Sequence, residues 1–151
     1  MRIKCSTHGG AFSGKDFTKQ DRTGALVGRY IAKFISKLEG INETTVHLAF
    51  GMGINKPVTL NLNIKPEQDL YKNNSINSIN NYISIIKKTV INYFRDWNIQ
   101  KWRKFFKIDK VKYSELTYNP FFNNSFVWEK KQKNNDLHNL ILKNTEGILN
   151  G

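Results

Sequence analysis

The stretch VHLAFGMGINKPVTLNLNI, residues 46–64, decides the fold of this chain. Apolar side chains alternate with small or polar ones on both sides of a central turn, at Val46, Leu48, Phe50, Val58, Leu60, Leu62 and Ile64. A period of two predicts strands with one face toward a core and one toward solvent, where His47 would lie. Gly51 and Gly53 permit the turn, and Pro57 starts the second strand. Two strands cannot form a self-sufficient sheet, so additional strands are expected from the N-terminal segment, from later residues or from another chain.

A helix is predicted immediately before the strands. Apolar residues recur at steps of three and four, at Leu26, Tyr30, Ile31, Phe34, Ile35 and Leu38. This spacing places them on one helix face. Asp21 is the expected N-cap, because its carboxylate can accept a backbone N–H of the first turn. Gly40 is the expected residue just beyond the helix end.

The second half of the chain adds helices. Residues 66–78 are polar and predict a loop, whereas Ile79 to Phe94 show a helical period. A shorter helix is predicted from Trp97 to Phe106, and Leu137, Leu140 and Ile141 indicate a weak terminal one. The predicted fold class is therefore α+β, a small mixed or antiparallel sheet with helices packed on one face.

The bulk composition describes one basic domain. The chain has 151 residues and a net charge of +12, from 24 Lys+Arg against 12 Asp+Glu. Such an excess attracts phosphates, nucleic acids or anionic membranes, although the bias of an AT-rich genome toward Lys and Asn accounts for it equally well. The single Cys5 points to a reducing compartment. No apolar run predicts a membrane span or a signal peptide, so a soluble cytoplasmic protein is expected, with an organellar location left open.

The cations of the third helix allow two interpretations. Aromatic residues interleave with basic ones there, at Arg95, Lys101, Arg103, Lys104 and Lys107. Phosphate contacts plus base stacking would suit RNA. We favour the alternative, an amphipathic helix with aromatics inward and cations outward.

A glycine-rich segment near the start raises the question of a nucleotide site. HGGAFSGKD, residues 8–16, contains G-x-x-x-x-G-K from Gly9 onward. A true phosphate-binding P-loop continues with Ser or Thr, whose hydroxyl ligates Mg²⁺, and opens a helix. Asp16 stands at that position, and the predicted helix begins later. The motif is therefore not a P-loop.

The longer segment HGGAFSGKDFTKQDRTGALVGRYIAK, residues 8–33, resembles a signature of S-adenosylmethionine synthetase, or methionine adenosyltransferase. The resemblance continues through VHLAFGMGINKP, residues 46–57, and returns at Tyr113, Tyr118 and SFVWEK, residues 125–130. It implies the family's C-terminal α+β domain over residues 1–130, followed by a polar tail over residues 131–151.

The resemblance also implies a reaction. The sulfur of methionine attacks the 5′ carbon of ATP and expels the triphosphate, which is then split into phosphate and pyrophosphate. The departing charge requires cations, backbone donors and Mg²⁺, and the family also uses K⁺. The sulfur requires alignment with the carbon rather than a general base.

Site residues follow from the resemblance, residue by residue. The catalytic residues would be Lys15 on the triphosphate and Lys19 on phosphate or the methionine carboxylate. Asp21 would lie near the metal and phosphates, unless it serves only as the N-cap. Met52 would approach methionine, unless it packs into the core. Asp16 is expected to hydrogen-bond within the loop. The nucleotide loop itself would be lined by Gly9, Gly10 and Ala11.

Departures from the family pattern limit these expectations. The family's three glycines are two here, YNPFFNN replaces its motif at residues 118–124, and Lys56 stands where it has Glu or His. Everything that precedes the glycine loop in the family is missing. We therefore expect the chain to need the missing N-terminal part or another copy, meeting it through a flat apolar surface, and to make no S-adenosylmethionine alone. The alternatives are a regulatory partner of a full-length enzyme, or a decayed, non-catalytic domain reused as a structural or RNA-binding component.

Overall fold

The computed structural model describes residues 15–16, 18–111, 126–129 and 135–149. Two long helices and one hairpin form most of it, and shorter helices complete the core. The elements in chain order are α1 Gln20–Ile35, β1 Ile41–Phe50, β2 Pro57–Pro66, α2 Leu70–Asn73, α3 Ile76–Phe94, α4 Ile99–Phe106, a 3₁₀ turn Ile108–Lys110 and α5 Asn135–Thr145. Among the described residues, no helix has the length and apolar character needed to cross a membrane.

The two strands confirm the predicted hairpin, but the expected additional strands do not pair with it within the described residues, where helices pack on the sheet instead. β1 and β2 pair antiparallel, with Val46 opposite Leu62 and Leu48 opposite Leu60. Leu62 and Ile64 are buried toward the helices. The opposite face of these strands is polar, with His47 paired to Asn61. Exposed apolar side chains on the hairpin lie near its turn, at Met52, Ile54 and Val58, and the expected flat apolar surface stays a prediction.

Helix α1 covers the hairpin. Its buried face includes Leu26, Tyr30 and Ile31, and it packs against β1, while α3 packs against β2. Gly24 allows the close approach, since a Cβ there would lie 2.8 Å from Cε2 of Phe50. Both helices lie on the same side of the sheet, as their apolar stripes require. The α+β class with helices on one face is confirmed.

Both predicted ends of α1 are wrong. The N-cap is Lys19, and Asp21 lies in the first turn, where its carboxylate pairs with Lys15 instead of a backbone N–H. At the other end the helix closes at Ser36, whose N–H bonds the carbonyl of Ala32 at 3.0 Å. Gly40 lies at the entry to β1 with φ of +72°. Glycine is needed there because this φ lies in the left-handed region, which residues with a Cβ rarely adopt.

Residues 66–78 are not a simple loop. They contain α2 and the beginning of α3, which starts three residues before Ile79. Ser75 is the N-cap of α3, and its hydroxyl accepts the N–H of Ser78 at 3.1 Å. The polar composition that suggested a loop therefore belongs to the capping turn of a helix.

Helix α4 carries its aromatic side chains inward. Trp102 and Phe106 are each 1% exposed and join Tyr30 and Phe94 in one aromatic cluster. Asn98 caps the helix by accepting the N–H of Lys101 at 2.8 Å. The ammonium of Lys101 lies 4.5 Å from the Trp97 ring centroid. The amphipathic interpretation is confirmed, and buried aromatics are not available for base stacking.

The terminal helix is also confirmed. α5 packs on α3 through buried Leu137 and Ile141, and the Asn144 amide donates to the Thr89 hydroxyl at 3.1 Å. The division into a domain over residues 1–130 and a tail over residues 131–151 stays a prediction.

Candidate functional site at the start of helix α1

Three of the predicted site residues lie at the beginning of α1. The ammonium of Lys15 is 3.3 Å from Oδ2 of Asp21, with 23% and 65% of the two side chains exposed. Lys19 is exposed at the N-cap position and makes no side-chain capping bond. Gly9, Gly10 and Ala11 lie outside the described residues. The arrangement thus places two lysines around the first turn of a helix.

This end of α1 favours anions for a second reason. The first N–H groups of a helix have no intrahelical acceptor and carry a partial positive charge from the helix dipole. Because Lys19 offers no side-chain acceptor to them, they can donate to a bound phosphate. Lysine charge and backbone donors therefore act in the same place.

Asp16 orders the segment between the two lysines. Its Oδ1 accepts the backbone N–H of Thr18 at 2.7 Å and the Thr18 hydroxyl as well. The hydroxyl bond and then the backbone bond lower the pKa of Asp16, and the charges of Lys19 and Arg22 lower it further. The expectation that Asp16 hydrogen-bonds within the loop is confirmed.

The turn between the strands is held at the same end of α1. The Gln20 amide donates to the carbonyl of Ile54 at 2.9 Å, and the N–H of Ile99 donates to Asn55 at 2.7 Å. Met52 at the tip is fully exposed. The alternative that Met52 packs into the core is therefore wrong, because the turn projects beyond the helices.

Arg103 reaches the site from α4 and was not predicted as a site residue. Its Nη2 donates to the carbonyl of Thr18, and its Nε lies 3.5 Å from the hydroxyl of Thr23. The helical period of α4 places Arg103 on the polar side, but no local pattern shows that it meets residues 80 positions earlier. Arg22, next to Asp21, is 4% exposed and lies under the same turn.

A second charged cluster, also not predicted, lies along the other half of α1. The carboxylate of Glu129 is 2% exposed and contacts both Arg29 and Lys33. Lys33 Nζ lies 2.6 Å from Oε2 of Glu129 and 2.6 Å from its backbone oxygen. This Glu129 cluster attaches residues 126–129 to α1, beside Trp128, which is fully buried. Glu129 belongs to the SFVWEK stretch, residues 125–130, and the resemblance of that stretch to the family was the sequence signal that could have found it.

Within the described part of the chain, no group of three or more His, Cys, Asp or Glu could hold a metal ion. Asp21 is exposed and could supply one oxygen. A single carboxylate suits Mg²⁺ only where phosphate oxygens and water complete the octahedron.

Comparison with known proteins identifies the family. The family model described as S-adenosylmethionine synthetase, C-terminal domain, matches residues 3–130. The S-adenosylmethionine synthase of Mycoplasma genitalium is 33% identical over 135 residues, 88% of this chain and 32% of the relative. That of Borreliella burgdorferi is 31% identical over 122 residues, 81% of this chain and 28% of the relative. No solved structure matches.

The chain therefore belongs to the S-adenosylmethionine synthetase family, and the part it represents is the C-terminal domain. It spans about a third or less of the length of these relatives. The matched region includes the start of α1, the hairpin turn and Glu129, and of the described core it leaves out only α5 and the residues after it.

Proposed function

We propose that this chain is the C-terminal part of a methionine adenosyltransferase and that the start of α1 binds the triphosphate of ATP. The observation that carries the proposal is the position of Lys15, 3.3 Å from Asp21 at the exposed first turn of α1. Family membership supports the reaction, and the position of Lys15 supports its contact with the triphosphate.

Lys15 acts on the leaving group. When the sulfur of methionine attacks the 5′ carbon, the bond to the 5′ oxygen breaks and the triphosphate gains negative charge. An ammonium group in fixed contact stabilises that charge. The first N–H groups of α1 add neutral donors. By the family resemblance, Gly9, Gly10 and Ala11 line the nucleotide loop.

Lys19 and Met52 serve the methionine side. Lys19 binds a phosphate or the methionine carboxylate from the exposed N-cap position. Met52 offers an apolar thioether at the tip of a turn, which Gln20 holds against the start of α1 through Ile54. Together they align the sulfur with the 5′ carbon, which is the main requirement of this displacement.

Mg²⁺, when bound, supplies positive charge to the triphosphate. Asp21 provides one carboxylate ligand, and phosphate oxygens and water provide the others. K⁺ is proposed from the family resemblance alone. Further residues of the site come from the N-terminal part of the enzyme or from another subunit, since the relatives are about three times as long. We propose a cytoplasmic location.

RNA binding is the weaker alternative. It rests on the net charge of +12 and on the exposed cations of α4. Single-stranded RNA is held by stacking on exposed aromatic rings as well as by charge. Trp97, Trp102 and Phe106 are buried, and Phe105 is 36% exposed. The surface of α4 thus offers charge with little stacking surface.

Calorimetric titration with inorganic tripolyphosphate tests the triphosphate site on this chain alone. Lys15→Ala should weaken binding about tenfold, the worth of one charge-assisted hydrogen bond of about 1.5 kcal/mol. Lys104→Ala is the matched control, because it removes the same charge from the exposed face of α4. Equal affinities of the two variants, or no binding by the folded unaltered chain, would contradict the proposal.

A chimera tests the reaction. The C-terminal third of the Mycoplasma genitalium relative is replaced by this chain, and S-adenosylmethionine is measured with ATP, methionine and Mg²⁺. The chimera should form product, its Lys15→Ala form should lose most of it, and this chain alone should form none. Product from this chain alone would contradict the need for a partner.

A further inference from the structure

We propose that Arg103 is a positioning residue, which fixes the segment carrying Lys15 and Lys19 for phosphate binding. This inference rests on the function proposed above. It starts from one observation: the Arg103 guanidinium of α4 donates to the carbonyl of Thr18, immediately before the N-cap of α1. The same guanidinium reaches the hydroxyl of Thr23 one turn into α1.

The contact continues to the lysines through Thr18. While the Thr18 carbonyl accepts from Arg103, its N–H and hydroxyl both donate to Asp16. Asp16 follows Lys15 directly, and Thr18 precedes Lys19 directly. The chain of contacts Arg103, Thr18 and Asp16 therefore runs between the two lysines and determines where their backbones lie.

Helix α4 is a rigid support for this contact. Trp102 and Phe106, on either side of Arg103 in sequence, are each 1% exposed in the aromatic cluster. The Asn98 side chain caps the beginning of α4, and the N–H of Ile99 donates a hydrogen bond to the Asn55 carbonyl in the hairpin turn. An arginine on so fixed a helix can hold a partner segment in place, because little freedom remains in its own backbone.

The acceptors of Arg103 distinguish positioning from direct phosphate binding. Two of them are neutral oxygens of this chain, the Thr18 carbonyl and the Thr23 hydroxyl, on either side of the α1 N-terminus. The guanidinium is therefore engaged in ordering the segment. Its neighbour Lys104 is exposed on the same helix and provides the same charge without these contacts among the described residues.

The test compares Arg103→Met with Lys104→Met in the full 151-residue chain, with Arg103→Lys as the conservative variant. Inorganic tripolyphosphate is the probe, titrated by calorimetry. Arg103→Met should weaken binding about tenfold, because the loss of hydrogen bonds made by a charged group has an effect of this size. Lys104→Met should stay within about twofold, and Arg103→Lys, which keeps one cationic donor for Thr18, within about threefold.

A second readout needs no ligand. In amide NMR spectra, Arg103→Met should shift the Thr18 and Lys19 resonances and leave the signals of β1 in place, whereas Lys104→Met should move neither. If Arg103→Met does not fold, Thr23→Val is compared in the unaltered chain and in Arg103→Lys, because the Thr23 hydroxyl also lies 3.4 Å from the Lys19 carbonyl. Thr23→Val should weaken binding about threefold in the unaltered chain and clearly less in Arg103→Lys, where its contact with the guanidinium is already lost.

Two results would overturn the role of Arg103. One is tripolyphosphate affinity of Arg103→Met equal to that of Lys104→Met, or, if Arg103→Met does not fold, an equal effect of Thr23→Val in the unaltered chain and in Arg103→Lys. The other is a Thr18 amide signal that Arg103→Met leaves unmoved. Absence of binding by the folded unaltered chain would instead overturn the proposed triphosphate site, while the Thr18 signal would still show whether Arg103 orders the segment.

Discussion

Helix α1 carries two charged clusters that differ in burial. At its beginning, Lys15 and Asp21 meet at 3.3 Å with 23% and 65% of their side chains exposed. Along its second half, Glu129 is 2% exposed and accepts from both Arg29 and Lys33. Both clusters pair a lysine with a carboxylate, but the one at Glu129 has a second cation, Arg29, and is far less exposed.

Burial decides what each cluster can do. A buried carboxylate with two cationic partners cannot lose one partner without leaving charge in a low-dielectric interior, which is costly. An exposed pair contributes about 0–1 kcal/mol, because water and salt compete for both groups. The Glu129 cluster therefore fixes structure, whereas the pair at the start of α1 can exchange its contacts for those of a ligand.

The largest expected effect is that of Glu129→Ala. Removing the carboxylate leaves Arg29 and Lys33 in mostly buried positions and detaches residues 126–129 from α1. We expect a loss of about 3–5 kcal/mol in the free energy of unfolding, the range for breaking a buried ion pair. Urea denaturation followed by tryptophan fluorescence measures it, since Trp128 is adjacent and fully buried.

Glu43→Ala is the matched control for this prediction. Glu43 pairs with Lys65 at 3.1 Å across the hairpin, but 38% and 60% of the two side chains are exposed. Its removal should change the free energy of unfolding by less than about 1 kcal/mol. Equal losses in the two variants would show that burial does not separate the clusters.

A smaller effect on tripolyphosphate affinity is expected for Asp21→Asn, and its direction depends on whether Mg²⁺ is present. Without Mg²⁺, the change removes a carboxylate that competes with phosphate for the Lys15 ammonium. Tripolyphosphate should then bind up to about fivefold more tightly, the equivalent of an exposed pair worth at most about 1 kcal/mol. With Mg²⁺ present, the variant should bind more weakly than the unaltered chain, because a metal ligand is lost.

Asp96→Asn provides the comparison for Asp21. Asp96 pairs with Lys56 at 3.4 Å beside the hairpin turn and is 83% exposed. Calorimetric titration of this variant should show affinities within about twofold of the unaltered chain, with or without Mg²⁺. If Asp21→Asn behaves in the same way, Asp21 has no part in phosphate or metal binding.

The sequence predicted the fold where periodicity is local. The alternation around the hairpin and the apolar stripe of α1 each follow from side chains a few positions apart, and both were confirmed. The ends of α1 were wrong because they depend on tertiary contacts. Asp21 pairs with Lys15 instead of capping, and Gly40 has its positive φ at the entry to β1 instead of ending the helix.

The candidate site was predictable only in part. Lys15 and Lys19 were predicted from the resemblance of residues 8–33 to the family signature. Met52 was predicted from the resemblance of the hairpin turn in residues 46–57. Arg103 and the Glu129 cluster join residues that are 85 and 100 positions apart. No short window contains both partners, so their contact depends on how α4 and residues 126–129 pack on α1. The structure therefore adds the residues that hold α1 and its first turn in place, Arg103 and the Glu129 cluster.

The smallest expected effect concerns the pKa of Asp16. The Thr18 hydroxyl, the Thr18 N–H and nearby cations hold this pKa below its usual 3.8. A lowered folded-state pKa favours the folded segment above pH 3.8, and the benefit disappears as the pH falls through the lower value. Because Asp16 is exposed, only local order should change. The carboxyl carbon shift of Asp16, followed by NMR while other amides remain native, should titrate below 3.8. Thr18→Val removes the largest cause and should move the midpoint upward; an unchanged midpoint would show that the hydroxyl does not hold this part of the site.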